Sequence, residues 1–112
     1  MKDLKKKLKK FAEERNWEQY HSPKNLAIGI SVEASELLEL FMWLSDDESR
    51  NLSAEQMTRI REEVGDITIH LVNLCGNLGI DPIDCAREKL ELNRQKYPIE
   101  KAFGSAKKYD EI

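Results

Sequence analysis

The spacing of apolar residues between positions 60 and 78 is the feature that most constrains the fold. These residues are separated by four and three positions in turn, and they are Ile60, Val64, Ile67, Leu71, Leu74 and Leu78. Such spacing places apolar side chains along one side of an α-helix that packs lengthwise against other helices. No stretch of the chain shows a convincing strand pattern. The sequence therefore predicts an all-α fold, a helical bundle.

Helix start and stop signals divide the chain into four predicted helices. The first runs from about Asp3, a plausible N-cap, to about Tyr20, and the second follows Ser22-Pro23 and runs to about Trp43. The third follows a capping-box signature at Ser53 and Gln56 and ends before Gly79. The fourth opens at Asp81-Pro82 and ends at Tyr97. These signals predict a four-helix bundle and a single domain over residues 1–112, with the tail 98–112 as a loop or partner-contacting arm.

Acidic residues interrupt the apolar sides of the second and third helices. At about 100° per residue, Glu33 lies central among leucines of the second helix, and Glu36 lies one turn further on. The third helix repeats the arrangement with Glu63 and Asp66. Because residues three apart are neighbours on a helix, each helix carries a pair of adjacent carboxylates.

Four carboxylates beside a buried seam need compensating positive charge. Burying even one unpaired carboxylate costs several kcal/mol, and clustering favours protonation. Few Lys or Arg residues lie on the matching sides of the helices, whereas a hard divalent cation, Mg²⁺ or Mn²⁺, suits oxygen ligands. A solvated acidic surface is the ordinary alternative and is favoured for Glu39, Glu62, Glu88 and Glu91. A di-iron bundle is a weaker alternative, because it uses Glu-x-x-His pairs and neither acidic pair has that form.

Composition excludes several other classes of protein. The net charge of -3, with 35 % charged residues, disfavours nucleic-acid binding through a broad basic surface. No apolar run approaches the roughly 20 residues of a membrane span. Cys75 and Cys85 are expected to be buried, reduced thiols, and we expect a cytoplasmic protein.

Other residues suit a nucleotide ligand. Trp17 and Trp43 each lie near a predicted helix end, where an indole can stack on a base or simply pack at the edge of the core. Lys89, Asn93 and Lys96 follow one side of the fourth helix, either as a phosphate-binding strip or as a solvated surface. His70 lies on the same strip of the third helix as Glu63, and a hydrogen-bonded interior histidine is its ordinary reading.

The acidic pairs also carry a family resemblance. The segments EASE and EEVGD resemble the ExxE…ExxD signature of the MazG-like all-alpha nucleoside triphosphate pyrophosphohydrolases. The similarity to the dCTP pyrophosphatase branch extends over most of the chain, through FAEERNWEQYHSPKNL, ELLELFMW, EEVGDITIHLVNL, LNRQKYP and GSAKKY.

The resemblance implies a Mg²⁺-dependent enzyme that hydrolyses a nucleoside triphosphate to a monophosphate and pyrophosphate. It implies that Glu33, Glu36, Glu63 and Asp66 bind the metal. We expect a carboxylate not fully used in coordination, Glu36 or Glu63, to orient the attacking water or take its proton. The resemblance further implies substrate contacts from Trp17, Trp43, His70, Lys89, Asn93, Arg94, Lys96 and Tyr97. Family members assemble as dimers or tetramers, and the exposed apolar seam of one 112-residue chain agrees with this.

Two positions depart from the pattern expected of the vertebrate dCTP enzymes. His70 occupies the place of a tyrosine, and Leu8 occupies the place of a histidine close to the nucleotide. Both bear on base preference rather than on the hydrolytic chemistry. From the resemblance as a whole, dCTP or a related pyrimidine deoxynucleotide is the expected substrate. The rival hypothesis is a non-catalytic helical bundle that binds a nucleotide or a protein partner through the same surfaces.

Overall fold

Helices make up all the regular structure of the part of the chain that is described. The computed structural model describes residues 2–107, and no strand occurs among them. The predicted all-α class is therefore confirmed for these residues. The chain divides after Gly79 into two compact units. The prediction that they form one domain, a single four-helix bundle, stays a prediction.

The first unit contains two long helices, a shorter one and two single turns. In chain order they are α1 (Lys2–Glu14), a 3₁₀ turn (Glu18–Tyr20), α2 (Pro23–Phe41), α3 (Asp46–Ser49) and α4 (Ala54–Leu78). None of the described helices has the combination of length and apolar character required to cross a membrane.

The first helix is shorter than predicted. It ends at Glu14 instead of about Tyr20, and Asn16 adopts the left-handed region with φ 53°. Asparagine tolerates this conformation better than most residues, so it can turn the chain here. The Trp17 N–H then donates to the Ala12 carbonyl oxygen at 2.9 Å. The predicted N-cap at Asp3 is also wrong, because Asp3 lies inside the first helical turn.

The predicted start of α2 and both predicted ends of α4 are confirmed, whereas α2 ends at Phe41, two residues before Trp43. Ser22 caps α2 by accepting a hydrogen bond from the Asn25 N–H at 3.1 Å. Ser53 and Gln56 form the predicted reciprocal capping box of α4. Gly79 ends α4 in the left-handed conformation, with φ 69°, which glycine adopts without steric cost.

The connection between α2 and α4 contains an element that the sequence analysis missed. Ser45 and Glu48 form a second capping box, and α3 is the single helical turn that it begins. The signature is the same Ser-x-x-Glu/Gln that predicted α4. No apolar periodicity follows it, so the sequence by itself predicts a polar loop here.

The first unit is held together mainly by packing of α2 on α4, with α1 also against α4. Four side chains are buried, one from α1, one from α2 and two from α4: Ala12, Leu26, Val72 and Cys75. The predicted seam of α4 is only partly covered. Ile60, Ile67 and Leu74 are half-buried, whereas Val64, Leu71 and Leu78 are exposed.

The second unit begins with α5 (Pro82–Lys96), whose N-cap is the predicted Asp81. The Asp81 carboxylate accepts from the Ile83 and Asp84 N–H groups at 2.8 and 3.1 Å. Cys75 is buried on α4 as expected, but Cys85 is exposed on α5, so that part of the prediction is wrong.

The predicted tail is not entirely loop. A short helix, α6 (Ile99–Ala102), follows Pro98. The remainder of the tail from residue 108 to residue 112 lies outside the described residues, and its predicted role as a partner-contacting arm stays a prediction.

Candidate metal centre and adjoining cavity

The packing of α2 on α4 brings together acidic side chains from both helices. Glu33 and Glu36 stand one turn apart on α2, and Glu63 stands on α4. One carboxylate oxygen from each lies within 4.8 Å of those of the other two. We call these three residues the carboxylate cluster. Convergence of three oxygens from two helices is the arrangement expected of a cation site.

Two oxygens of the carboxylate cluster are buried without a hydrogen-bond partner among residues 2–107. They are Glu33 Oε2 and Glu63 Oε2, and both residues are half-buried. A buried acceptor without a donor is costly, and native proteins seldom keep one without a compensating group. The oxygens of Glu33 and Glu63 therefore fit a ligand that the chain itself does not provide.

Two carboxylates of the cluster, those of Glu33 and Glu63, resist ionisation. Burial raises the pKa of Glu33 from 4.5 to about 7, and the closeness and charge of the neighbouring Glu36 carboxylate add to the rise. Burial is also the main cause of the raised pKa of Glu63, followed by the charge of Glu36. The charge of Asp66 raises both pKa values further. A bound cation would reverse this repulsion and favour the ionised form.

Asp66, the fourth predicted ligand, is exposed and is not one of the three residues whose oxygens converge. It lies near enough for its charge to act on Glu33 and Glu63. Its role as a ligand stays a prediction. The donor set of the cluster consists of oxygen atoms, which favours Mg²⁺ or Mn²⁺ over metals that prefer nitrogen or sulfur.

A cavity of about 430 Å³ lies within the same unit, between residues of α1, the 3₁₀ turn, α2 and α4. We call it the aromatic cavity, because Phe11, Trp17 and Tyr20 line it. The Trp17 and Phe11 rings meet edge to face, with centroids 5.6 Å apart and planes at 71°. A mostly apolar cavity with a few polar groups suits a flat, partly polar ligand such as a nucleobase.

His70 and Leu8, the two departures noted in the sequence, both line the aromatic cavity. His21 and Asn25, which the sequence analysis did not single out as binding residues, line it too. The Asn25 side-chain amide donates to the Tyr20 carbonyl oxygen at 3.1 Å, so it also fixes the turn before α2.

A second cavity of about 570 Å³ adjoins the first and shares Leu8, Ala12, His21 and Asn73 with it. Three lysines of α1 line this cavity: Lys5, Lys6 and Lys9. The basic character of α1 is visible in the sequence, but its placement beside α4 depends on tertiary packing.

The structure does not bring all the predicted site residues together. Trp43 follows α2, is 87 % exposed and lines neither cavity. Lys89, Lys96 and Arg94 are exposed on α5, in the second unit, and Arg94 forms an exposed ion pair with Glu91 at 3.8 Å. The half-buried Asn93 and Tyr97 belong to the same unit. The substrate contacts predicted for these residues stay predictions.

Gly29 is a residue of this region that the sequence analysis missed. It lies inside α2, where glycine costs about 1 kcal/mol relative to alanine. A Cβ atom at this position would lie 2.7 Å from His70 Nε2 and even closer to His70 Cδ2. A glycine inside a helix is the signal that could have identified this close approach of α4 to α2.

The architecture and the carboxylate cluster together define a class of protein: an all-helical protein with a candidate divalent-metal centre between two helices. Residues 28–112 match the model of the MazG-like family. The chain belongs to this family.

Similarity to known proteins extends beyond that match. The chain is 36 % identical to dCTP pyrophosphatase 1 of Mus musculus and 35 % identical to that of Homo sapiens. Both alignments cover 100 % of this chain and 67 % of the relative. The structure is also similar to that of a pyrophosphatase from Archaeoglobus fulgidus, with a TM-score of 0.83 and 41 % identity over 88 % of this chain and 92 % of that one.

Proposed function

We propose that this chain is a Mg²⁺-dependent nucleoside triphosphate pyrophosphohydrolase that converts a pyrimidine deoxynucleotide, dCTP first, to its monophosphate and pyrophosphate. Homology to the dCTP pyrophosphatases and to the archaeal pyrophosphatase supports the enzyme class. The single observation that carries the metal dependence is the pair of buried, unpartnered oxygens of Glu33 and Glu63.

The carboxylate cluster is the proposed metal site, with Glu33, Glu36 and Glu63 as ligands and Asp66 as a fourth. Bound Mg²⁺ would neutralise the triphosphate and make a water molecule more acidic. The three oxygens of the cluster lie within 4.8 Å of one another, so they are placed to converge on one cation. Mn²⁺ is an acceptable substitute because it also prefers oxygen ligands.

The chain's own residues then position water and substrate. A carboxylate oxygen of Glu36 or Glu63 that is not engaged with the metal orients the attacking water and accepts its proton. The water oxygen forms a bond to phosphorus at the α–β bridge, the bridging P–O bond breaks, and pyrophosphate leaves. Most of the rate enhancement comes from positioning and from neutralising charge.

The aromatic cavity is the proposed base site. Trp17 and His70 line it, and the apolar walls exclude water from the faces of a base. Trp43 is proposed to cover the nucleotide from the end of α2. Lys89, Asn93, Arg94, Lys96 and Tyr97 are proposed to contact phosphate or sugar in the assembled enzyme.

A homodimer or homotetramer is the proposed assembly. Few side chains of the first unit are buried, and large apolar residues of α2, of its C-cap and of α4 remain exposed: Ile28, Val32, Leu38, Met42, Met57, Val64, Leu71 and Leu78. Apolar surface of this extent on two adjacent helices favours association of identical chains. The cellular role that we propose is removal of unwanted nucleotides from the cytoplasmic pool, without nucleic-acid or membrane partners.

Incubation with a panel of nucleoside triphosphates and Mg²⁺ tests the proposal. The expected products are the monophosphate and pyrophosphate, with dCTP among the best substrates and no turnover after chelation of the metal. Hydrolysis to the diphosphate and phosphate would contradict the proposed bond cleavage. Absence of turnover with every common triphosphate would favour the rival, a non-catalytic bundle that binds a nucleotide or protein partner.

A further inference from the structure

The imidazole ring of His70 is held in one orientation from two sides. His70 Nδ1 lies 2.8 Å from the backbone carbonyl oxygen of Asp66, one turn earlier on α4. On the other side the ring lies against Gly29 of α2, where there is no side chain to displace it. His70 is half-buried and lines the aromatic cavity.

The hydrogen bond to Asp66 determines the tautomer of the neutral ring. A carbonyl oxygen can only accept, so Nδ1 must carry the proton and donate it. In the neutral imidazole, Nε2 is then an acceptor. His70 Nε2 has no hydrogen-bond partner among residues 2–107. His70 lines the aromatic cavity, so a ligand there that reaches Nε2 would meet an acceptor without a donor from the described chain.

We propose that His70 is a specificity-determining residue whose Nε2 accepts a hydrogen bond from the exocyclic amino group of the substrate base. This rests on the proposed function and names a chemical distinction within it. Cytosine carries an amino donor where uracil, placed the same way, carries a keto oxygen. With uracil bound, His70 Nε2 and the keto oxygen would both be acceptors and could not form a hydrogen bond. This mismatch disfavours uracil relative to cytosine.

Gly29 acts through His70 as a positioning residue. A methyl group at position 29 would overlap the ring, since the added Cβ would stand 2.7 Å from Nε2. The ring would have to rotate, and rotation would break the Nδ1 hydrogen bond to Asp66 that fixes the tautomer. The geometry predicts that Gly29→Ala has the same effect on base preference as loss of the His70 acceptor.

The experiment compares kcat/KM for dCTP and dUTP with Mg²⁺ at one fixed, mildly alkaline pH. We expect the native chain to favour dCTP by roughly 10- to 100-fold. In His70→Phe, which keeps a ring but removes the acceptor, the ratio should fall to about threefold or less through loss of dCTP efficiency. Gly29→Ala should lower the ratio in the same way.

Gly76→Ala is the matched control. Gly76 also lies inside a helix, but a Cβ added there would meet no atom within 4 Å. This variant should keep the native dCTP/dUTP ratio. Melting temperatures establish whether each variant folds. If His70→Phe does not fold, Gly29→Ala alone tests the inference.

The outcomes separate this inference from the proposed function. Equal hydrolysis of dCTP and dUTP by the native chain, or an unchanged ratio in both His70→Phe and Gly29→Ala, overturns the inference and leaves the enzyme class intact. If no triphosphate is hydrolysed, the proposed function fails. Binding of dCMP and dUMP by calorimetry then decides the inference, because tighter binding of dCMP supports it and equal affinity overturns it.

Discussion

The interface between α2 and α4 contains two regions that differ in how well the chain itself provides partners for their packing, hydrogen bonds and charges. At Gly29 and His70 the helices fit, since the absence of a side chain on one helix leaves room for a ring on the other. A backbone carbonyl also satisfies one of the two ring nitrogens, Nδ1. At the carboxylate cluster the same two helices bring like charges together and leave two buried oxygens unpartnered.

The difference shows which region depends on an external group for its stability. Burial of an apolar contact or a satisfied hydrogen bond stabilises the folded chain, whereas burial of unmatched carboxylates opposes folding. Bringing such groups together costs free energy of folding. That cost is offset when the region binds a ligand or a proton, or it is tolerated because the region has a function. The cluster should therefore respond strongly to charge, metal and pH, and the contact of His70 with Gly29 should respond to shape.

The largest expected effect comes from neutralising one carboxylate of the cluster. Glu63→Gln should lower kcat/KM by more than roughly 100-fold, because loss of a metal ligand should exceed the usual cost of losing an outer-shell partner. In the absence of metal the same variant should melt at a higher temperature than the native chain, because a buried like charge is removed. Steady-state kinetics and thermal melts with and without Mg²⁺ measure both effects.

Glu62→Gln is the matched control for this change. Glu62 is the adjacent residue on α4 and is exposed, so it should keep both activity and metal-free stability near the native values. Unimpaired turnover in Glu63→Gln would show that the carboxylate cluster is not the metal site, even if the activity itself is real.

An intermediate effect is expected from pH acting on the metal-free protein. The pKa of Glu33 is about 7 in the folded chain against an ordinary 4.5, so between these values the folded state binds more protons than the unfolded state. The free energy of unfolding should therefore fall as pH rises from about 4.5 to about 7 and then level off. Urea denaturation without metal at about pH 5 and about pH 8 measures the difference.

Two comparisons make the pH prediction specific to the cluster. Glu33→Gln should make the free energy of unfolding depend less on pH, because the titrating group is gone. Saturating Mg²⁺ should counteract the fall in the free energy of unfolding with rising pH. Metal binding requires ionised carboxylates and strengthens as they lose protons. A metal-free native chain that gains stability between these two pH values would contradict the assignment.

The smallest expected effect separates the two tryptophans. Trp17 already lines the aromatic cavity, so Trp17→Ala should raise KM by roughly tenfold or more through lost stacking. Trp43 is 87 % exposed and must become ordered before it contacts a base, so Trp43→Ala should raise KM by only about two- to fivefold. Replacement by Phe should rescue most of either loss, and a larger effect at Trp43 would make the proposed cover the main base contact.

Local signals in the sequence predict much of the fold. Ser22-Pro23, Ser53 with Gln56, Gly79 and Asp81-Pro82 mark helix ends correctly because capping depends on residues close in the chain. The end of α1 was missed because Asn16 in the left-handed conformation is a turn that helical spacing does not reveal. Half of the predicted α4 seam is exposed, since periodicity identifies an apolar side of a helix without saying what covers it.

The candidate site likewise contains residues that local sequence signals predict and residues whose role depends on tertiary packing. Glu33, Glu36 and Glu63 are predictable because their charge conflicts with the apolar spacing around them, and the structure brings their oxygens together. A glycine inside α2 signals a close approach, but the identity of its neighbour His70 depends on tertiary packing and could not be predicted. The contacts proposed for Lys89, Asn93 and the neighbouring residues of α5 depend on tertiary or quaternary placement, which helical spacing cannot supply.

The close approach of Gly29 to His70 has a consequence for related sequences. The residues at positions 29 and 70 depend on each other, because the space left at one position determines the size and orientation of the side chain that fits at the other. Natural members of the family with a larger residue at the first position should carry a smaller or differently oriented one at the second. Attempts to redesign the base preference should accordingly change the two positions together, and libraries that vary only one should yield few active members.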